Sequence, residues 1–107
     1  MKYLIVGLLA GAALAAPATQ TFTGVITDSM CANAGHASMR MGPTDAECTI
    51  ACVQSHGVAY VLLSGKLVYN LSNQQLPETF AGARVRVTGT LDPKTKMIAV
   101  SSIKPAR

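Results

Sequence analysis

The stretch ARVRVTGTL, at positions 83–91, constrains the fold more than any other because its side chains alternate with a period of two. The odd positions from Val85 to Leu91 hold apolar residues or glycine, and the even positions from Arg84 to Thr90 hold arginine or threonine. A β-strand with one buried and one solvated face has this pattern. We therefore predict a strand here, the fourth in chain order, in a mainly β domain.

Four more β-prone runs accompany this strand. The stretch TFTGVITD, at 21–28, alternates in the same way and predicts strand one. The stretch 58–71 contains two runs joined at Ser64 and Gly65, where glycine permits the positive φ of a tight hairpin turn. These runs predict strands two and three. The run MIAVSSIK, at 97–104, predicts strand five.

Two segments between the strands carry helix signals. Thr44 and Glu47 match the S/T-x-x-E capping box, and Gly57 is placed to end a helix, so we predict that 45–56 is helical. The stretch NQQLPETFAG, at 73–82, predicts one or two helical turns. Its proline then lies in the first turn, where a missing N–H costs least.

Five strands with a short helix between the third and the fourth is the element order of the OB fold, a small Greek-key barrel. We predict a five-stranded OB-like barrel at residues 20–105, with a loop-helix insertion at 29–57 between strands one and two. An open five-stranded meander is the alternative. In a barrel, Gly24 and Gly89 would lie where strongly bent strands leave no room for a side chain.

Residues 1–15 have the pattern of a secretory signal peptide. Lys2 precedes the apolar run YLIVGLLAGAALAA, which is too short for a membrane span and ends in small residues. The small-x-small triplet that ends at Ala15 favours cleavage after this residue, with Ala18 as the second choice. We expect a mature protein of about 90 residues that is periplasmic or secreted and has no transmembrane segment.

The predicted mature chain is small and only mildly basic. Without Lys2 it has eight Lys and Arg against five Asp and Glu, so its net charge is near +3. This balance favours solubility and does not indicate a polyanionic partner. A domain of this size commonly needs a disulfide or a bound metal to stabilise its modest core.

The insertion 29–57 contains all three cysteines and both histidines of the chain. On the predicted helix, Cys48 and Cys52 are spaced i, i+4 and therefore share a face. The preceding loop, rich in Gly and Ala, can bring Cys31 and His36 to that face. These four residues form a Cys₃His set, the number and type of ligands that tetrahedral Zn²⁺ takes in a closed structural site.

The same insertion offers softer donors that suit copper. If Met39, Met41 or His56 replaced one of the four ligands, the site would combine thiolate, thioether and imidazole donors, which favours Cu(I). A methionine in a loop is more often a core filler or a bystander, and His56 next to a helix-ending glycine is more often a cap than a ligand. We therefore keep Cys31, His36, Cys48 and Cys52 as the predicted metal ligands, for zinc or copper.

Other uses of the cysteines remain open. In an oxidising compartment, Cys31 could form a disulfide with Cys48 or Cys52 and leave one free thiol. Thiol redox chemistry is a further interpretation, since Cys48 lies near the positive end of the helix dipole, but the Cys-x₂-Cys motif of thioredoxin-like proteins is absent. Single-stranded nucleic-acid binding, which an OB fold raises, is opposed by the predicted export, the low charge and the scarcity of aromatic residues.

Sequence signatures of catalysis and of organic cofactors are absent. The chain has no Cys-x-x-Cys-His haem attachment, no glycine-rich phosphate loop and no Gly-x-Ser-x-Gly elbow. Of its five acidic residues, Glu47 is assigned to the helix cap and Asp92 to a turn. Few carboxylates therefore remain that could form a pair for acid–base catalysis. We expect a protein that is not an enzyme and that binds neither haem nor nucleotide.

The sequence resembles a family of small exported bacterial proteins, common in soil bacteria such as acidobacteria, that is catalogued as a domain of unknown function. The resemblance covers 21–104, and its most specific parts are Asp28-x-x-Cys31, His36, Cys48-x₃-Cys52-Val53 and Phe80-Ala81-Gly82. It implies an exported OB-like barrel in which the three cysteines and His36 belong to one family motif. It implies no mechanism.

These patterns lead to one functional hypothesis and one alternative. The hypothesis is an exported, non-catalytic binding module that holds zinc or copper through its Cys/His cluster. The alternative is a disulfide-stapled structural or interaction domain of the bacterial envelope, with another envelope protein as its partner.

Overall fold

The computed structural model describes residues 18–34 and 42–106, and its β-strands form a single sheet. The strands are β1 (Gln20–Asp28), β2 (Tyr60–Ser64), β3 (Leu67–Leu71), β4 (Arg84–Asp92) and β5 (Met97–Pro105). They neighbour one another in the order β1-β2-β3-β5-β4, and β4 pairs with β1 again, so the sheet closes in a ring. The predicted strands are thus confirmed, whereas the open meander is wrong.

The ring closes because β5 contacts two strands at once. It pairs antiparallel with β4 along most of its length and parallel with β3 at Asn70↔Met97 and Leu71↔Ile98. On the other side, β1 pairs with β4 through its first half and with β2 through its second half. The end of β1 is therefore held in the wall of the ring, and this end leads directly into the cysteine-bearing insertion.

The side-chain alternation of β4 produces one buried face and one exposed face, as predicted. Val85 and Val87 are completely buried, whereas Arg84 and Arg86 are exposed. The apolar faces of all five strands meet inside the ring in one hydrophobic core. Its buried members are Ile26, Tyr60, Leu62, Leu71, Ala81, Val85, Val87, Ile98 and Ile103.

Two strand glycines lie where neighbouring backbone comes closest. A Cβ on Gly24 would collide with the carbonyl oxygen of Leu63, and one on Gly89 would collide with that of Ala99. The β4–β5 register shifts at Thr88 and Gly89, which bends the strand. The expectation that these glycines serve tight packing of curved strands is confirmed.

The helices are α1 (Cys31–Ala34), α2 (Asp45–His56) and a 3-10 helix (Leu76–Phe80). α2 has the predicted bounds and begins where the Thr44 hydroxyl accepts a hydrogen bond from the Glu47 N–H at 3.1 Å. It ends at Gly57, whose φ of 66° is left-handed. The segment predicted at 73–82 is a shorter 3-10 turn, with its proline in the first turn as expected.

Some predictions fall on residues outside these ranges. The signal peptide, residues 1–15, is one of them, so both its cleavage and the export of the chain stay predictions. Within 18–34 and 42–106, no helix combines the length and the apolar character that crossing a bilayer requires.

Candidate metal centre

The three cysteines converge in one buried group beside the ring. Cys31 begins α1 just after β1, and Cys48 and Cys52 lie one turn apart on α2. Their sulfur atoms all lie within 4.8 Å of one another, and the sulfurs of Cys31 and Cys48 are 4.0 Å apart. Cys31 is 3% exposed and the other two are 0% exposed, so the group is shielded from water.

The local sequence explains why α2 presents two sulfurs in one direction. The Thr44 cap fixes the first turn, and the Cys48 N–H donates to the Thr44 carbonyl oxygen at 2.9 Å. From there, the i, i+4 spacing places Cys48 and Cys52 on the face that packs against the end of β1. Thr49 is also completely buried, whereas Gln54 and His56 at the far end are exposed.

A glycine lets α2 approach the ring closely. Gly82, just before β4, has a φ of 77°, and a Cβ there would lie 2.7 Å from the backbone nitrogen of Ala46 in the first turn of α2. The Gly82 N–H donates to the Ile26 carbonyl oxygen at 2.8 Å, so the same residue is fixed to β1. The start of α2 and the strand that precedes Cys31 are therefore held against one short piece of backbone.

Asp28, the last residue of β1, lies beside the cysteines and is completely buried. Its Oδ2 accepts hydrogen bonds from the N–H groups of Met30, at 3.1 Å, and Cys31, at 3.0 Å. Its Oδ1 is also buried, and it has no hydrogen-bond partner among the described residues. One oxygen of the carboxylate thus positions the Cys31 backbone, while the other remains without a partner.

The surroundings make the thiols hold their protons. Burial raises the pKa of the Cys31 thiol, and the negatively charged carboxylate of Asp28 beside it raises that pKa further. Burial and the charge of Asp28 also raise the pKa of Cys52. At neutral pH these two residues are therefore thiols in the metal-free chain, and a metal ion that binds them as thiolates must displace their protons.

Three sulfurs in this arrangement can hold a metal ion. Tetrahedral Zn²⁺ with Zn–S bonds of about 2.3 Å places its sulfur ligands about 3.8 Å apart. The 4.0 Å between Cys31 and Cys48 is close to that separation, and the 4.8 Å limit for the group leaves only a small contraction. Thiolates suit zinc and copper alike, so the sulfur set alone does not select the metal.

The predicted ligands fall into two groups. The structure brings Cys31, Cys48 and Cys52 together, as their spacing indicated. His36, the fourth predicted ligand, lies outside the described residues, as do Met39 and Met41. His56 is exposed in the last turn of α2 and is not part of the group, which agrees with its interpretation as a helix cap.

Asp28 is the site residue that the sequence interpretation missed. It appeared only as part of a motif, without a role of its own. Its signal was local, because an Asp three residues before Cys31 can accept N–H groups of the turn that follows. The burial of its carboxylate among thiols depends on the packing of α2, which no local pattern encodes.

We compared the chain with known proteins to look for a family or a relative. No protein-family model, curated protein or solved structure matches this chain. The resemblance to exported bacterial proteins of unknown function therefore stays a prediction, and the functional interpretation depends on the site itself.

Proposed function

We propose that this protein is an exported, non-catalytic module that binds one zinc or copper ion through Cys31, Cys48 and Cys52. The observation that carries this proposal is the convergence of three buried sulfurs within 4.8 Å from two separate segments of the chain. The sequence hypothesis adds His36 as the fourth ligand, and the chain between α1 and α2 contains this residue.

Metal binding accounts for the site better than hydrophobic packing does. A buried free cysteine usually behaves as a small apolar side chain, and three of them could simply fill space. Apolar packing, however, gives no reason for a buried carboxylate with an oxygen that lacks a partner among the described residues, because such a group costs about 1–3 kcal/mol or more of stability. A cation among the sulfurs supplies that reason, since it would offset the negative charge of Asp28.

We further propose that the ring of strands is an OB-like barrel. The strand order β1-β2-β3-β5-β4, the parallel pairing of β3 with β5, and the short helix between β3 and β4 support this assignment. In this description the metal centre belongs to an enlarged connection between β1 and β2. Export to the periplasm or the medium is proposed from the N-terminal sequence pattern.

A second candidate function is a disulfide-stapled structural domain of the bacterial envelope. The observation that favours it is the 4.0 Å distance between the sulfurs of Cys31 and Cys48, which must approach by about 2 Å to form a bond. In an oxidising compartment this bridge would replace the metal as the staple, and Cys52 would remain a free thiol. Its partner would be another envelope protein.

Intact mass of the mature protein, purified from a bacterial periplasm, separates the two functions. Under native conditions the metal-binding protein carries one metal ion, and after chelation three cysteines react with an alkylating agent. The disulfide-stapled protein carries no metal and reacts only once unless it is first reduced. A metal-free protein with one reactive thiol would contradict the proposed function.

A further inference from the structure

Asp28 is the only completely buried charged side chain among the described residues, and it lies at the metal centre. We propose that Asp28 is itself a metal ligand, which binds through Oδ1 and completes a Cys₃Asp site that selects a divalent ion such as Zn²⁺ over Cu(I). This inference rests on the proposed function and gives the fourth ligand position to Asp28 in place of His36.

The hydrogen bonds of Asp28 leave one oxygen for a metal. Oδ2 already accepts two backbone N–H groups, which fix the carboxylate at the end of β1. Oδ1 is buried and has no hydrogen-bond partner in 18–34 or 42–106. A carboxylate that binds a metal through one oxygen while its other oxygen is hydrogen-bonded is a common arrangement at metal sites. A buried polar atom without a partner is uncommon and often marks an ion or water site.

The carboxylate lies next to the first of the three cysteines. Its Oδ2 lies 3.0 Å from the backbone nitrogen of Cys31, so the carboxylate adjoins the residue that carries one of the three sulfurs. Its oxygens are not among the atoms that lie within 4.8 Å of one another in the metal-free chain. Metal binding must therefore draw Oδ1 and the sulfurs closer together.

Charge and ligand type together favour a divalent ion. Three thiolates and one carboxylate carry four negative charges in a site that excludes water. Cu(I) would neutralise one of them, whereas Zn²⁺ would neutralise two, and uncompensated buried charge is costly. Carboxylate oxygen also suits zinc better than Cu(I), which prefers sulfur. Without Asp28, the sulfur set would not distinguish the two ions.

Cobalt(II) is a spectroscopic substitute for zinc that tests this inference. Its thiolate charge-transfer absorption reports the sulfur ligands, and its d–d absorption reports the full ligand set. The variants are Asp28→Asn, which keeps an acceptor for the backbone N–H groups, and Asp28→Ser, which keeps a good cap but cannot reach the metal. Thr49→Val is the matched control, because Thr49 lies between Cys48 and Cys52 in the sequence and has the second of the two buried side-chain oxygens that lack a hydrogen-bond partner among the described residues.

We expect Asp28→Asn and Asp28→Ser to keep the charge-transfer absorption and to shift the d–d bands. Their Zn²⁺ affinity should fall at least about tenfold, while their Cu(I) affinity stays at the parent value. Thr49→Val should match the parent in all three measurements. Parent-like d–d bands in the Asp28 variants would overturn the inference, as would a shift caused by His36→Ala instead. Such results would leave the proposed function intact if the charge-transfer absorption persists, whereas its absence from the parent would contradict the proposed function.

A measurement on the unsubstituted chain covers the case in which these variants do not fold. The chain has three aspartates, Asp28, Asp45 and Asp92, and their carboxyl carbons can be labelled with carbon-13. One equivalent of Zn²⁺ should move the carboxyl resonance of Asp28 and leave those of Asp45 and Asp92 unchanged. An unmoved Asp28 resonance in zinc-loaded protein would overturn the inference.

Discussion

The sulfurs of Cys31 and Cys48 lie 4.0 Å apart, although 17 positions separate the two residues in the sequence. Cys31 follows β1 and Cys48 belongs to α2, so their proximity depends on how α2 packs against the end of that strand. The distance is about 0.2 Å longer than the spacing of two ligands on tetrahedral zinc and about 2 Å longer than a disulfide bond. The two sulfurs would therefore have to move less to bind a metal ion than to form a disulfide bond.

Each cysteine should be necessary for tight metal binding. We expect Cys31→Ser, Cys48→Ser and Cys52→Ser each to lower Zn²⁺ affinity at least about a hundredfold, because a serine hydroxyl stays protonated and cannot replace a thiolate. Competition with a chromogenic chelator measures the change. Parent-like affinity in all three variants would contradict the account.

Thr49→Val is the stability control for these substitutions. Thr49 lies on the same buried face of α2, and its hydroxyl has no hydrogen-bond partner within the described part of the chain. Replacing the hydroxyl by a methyl group of similar size should keep metal affinity and raise the free energy of unfolding by about 1 kcal/mol. Urea unfolding of the metal-free protein measures this gain.

Metal affinity should rise with pH. The pKa values of Cys31 and Cys52 are raised by burial and by Asp28, so both residues are protonated in the metal-free chain at neutral pH. Each proton that the metal displaces makes binding about tenfold tighter per pH unit. We expect the logarithm of the Zn²⁺ affinity to rise with a slope of about two or more between about pH 6 and 8, measured by chelator competition. A pH-independent affinity would exclude these thiolates as ligands.

Gly82→Ala should disturb both stability and the metal centre. A residue with a side chain at φ 77° lowers the free energy of unfolding by about 1–2 kcal/mol. The new Cβ would also lie 2.7 Å from the Ala46 nitrogen, and this clash should push α2 away from the ring. Gly65→Ala is the matched control, since Gly65 has a φ of 62° but nothing within 4 Å of its Cβ position. Both variants should be destabilised in urea, but only Gly82→Ala should also lose Zn²⁺ affinity. Equal metal affinities would mean that Gly82 does not position α2.

Tyr60 should make the fold sensitive to alkali. Its hydroxyl donates to Glu78 at 3.0 Å, and burial together with Glu78 raises the pKa of Tyr60 to about 12, from about 10 in the unfolded chain. Between these values the unfolded state loses the proton and the folded state keeps it, so stability is complete below pH 10 and is lost as pH rises towards 12.

The Tyr60→Phe variant isolates this contribution. Phenylalanine keeps the buried ring and has no ionisable group, so the variant should lose less stability than the parent between about pH 9 and 11.5, by on the order of 2 kcal/mol. Urea unfolding at the two pH values gives the difference. Parallel losses in parent and variant would show that Tyr60 does not titrate in this way.

Most of the fold could be predicted because its signals are local. Alternation marked β4, the Ser64-Gly65 pair marked the β2–β3 turn, and Thr44 with Gly57 fixed both ends of α2. The extent of the 3-10 helix was less predictable, because the chain that follows it, at 81–83, pairs with β1 at Ile26 and so leaves the predicted helical segment early.

The site was predictable in part. The i, i+4 spacing of Cys48 and Cys52 placed both on one face of a helix, and the loop rich in Gly and Ala was expected to bring Cys31 to that face. The role of Asp28 could not be read from the sequence, because a carboxylate before a turn is normally an exposed cap. Here α2 covers it, and this burial turns a capping residue into a candidate ligand.

X-ray absorption at the zinc edge of the zinc-loaded protein identifies the atoms that bind the metal. We expect one zinc ion per chain with three sulfur ligands at about 2.3 Å and one oxygen or nitrogen ligand at about 2.0 Å. A first shell of nitrogen and oxygen alone, or a protein that retains no zinc after its three thiols are reduced, would contradict this expectation.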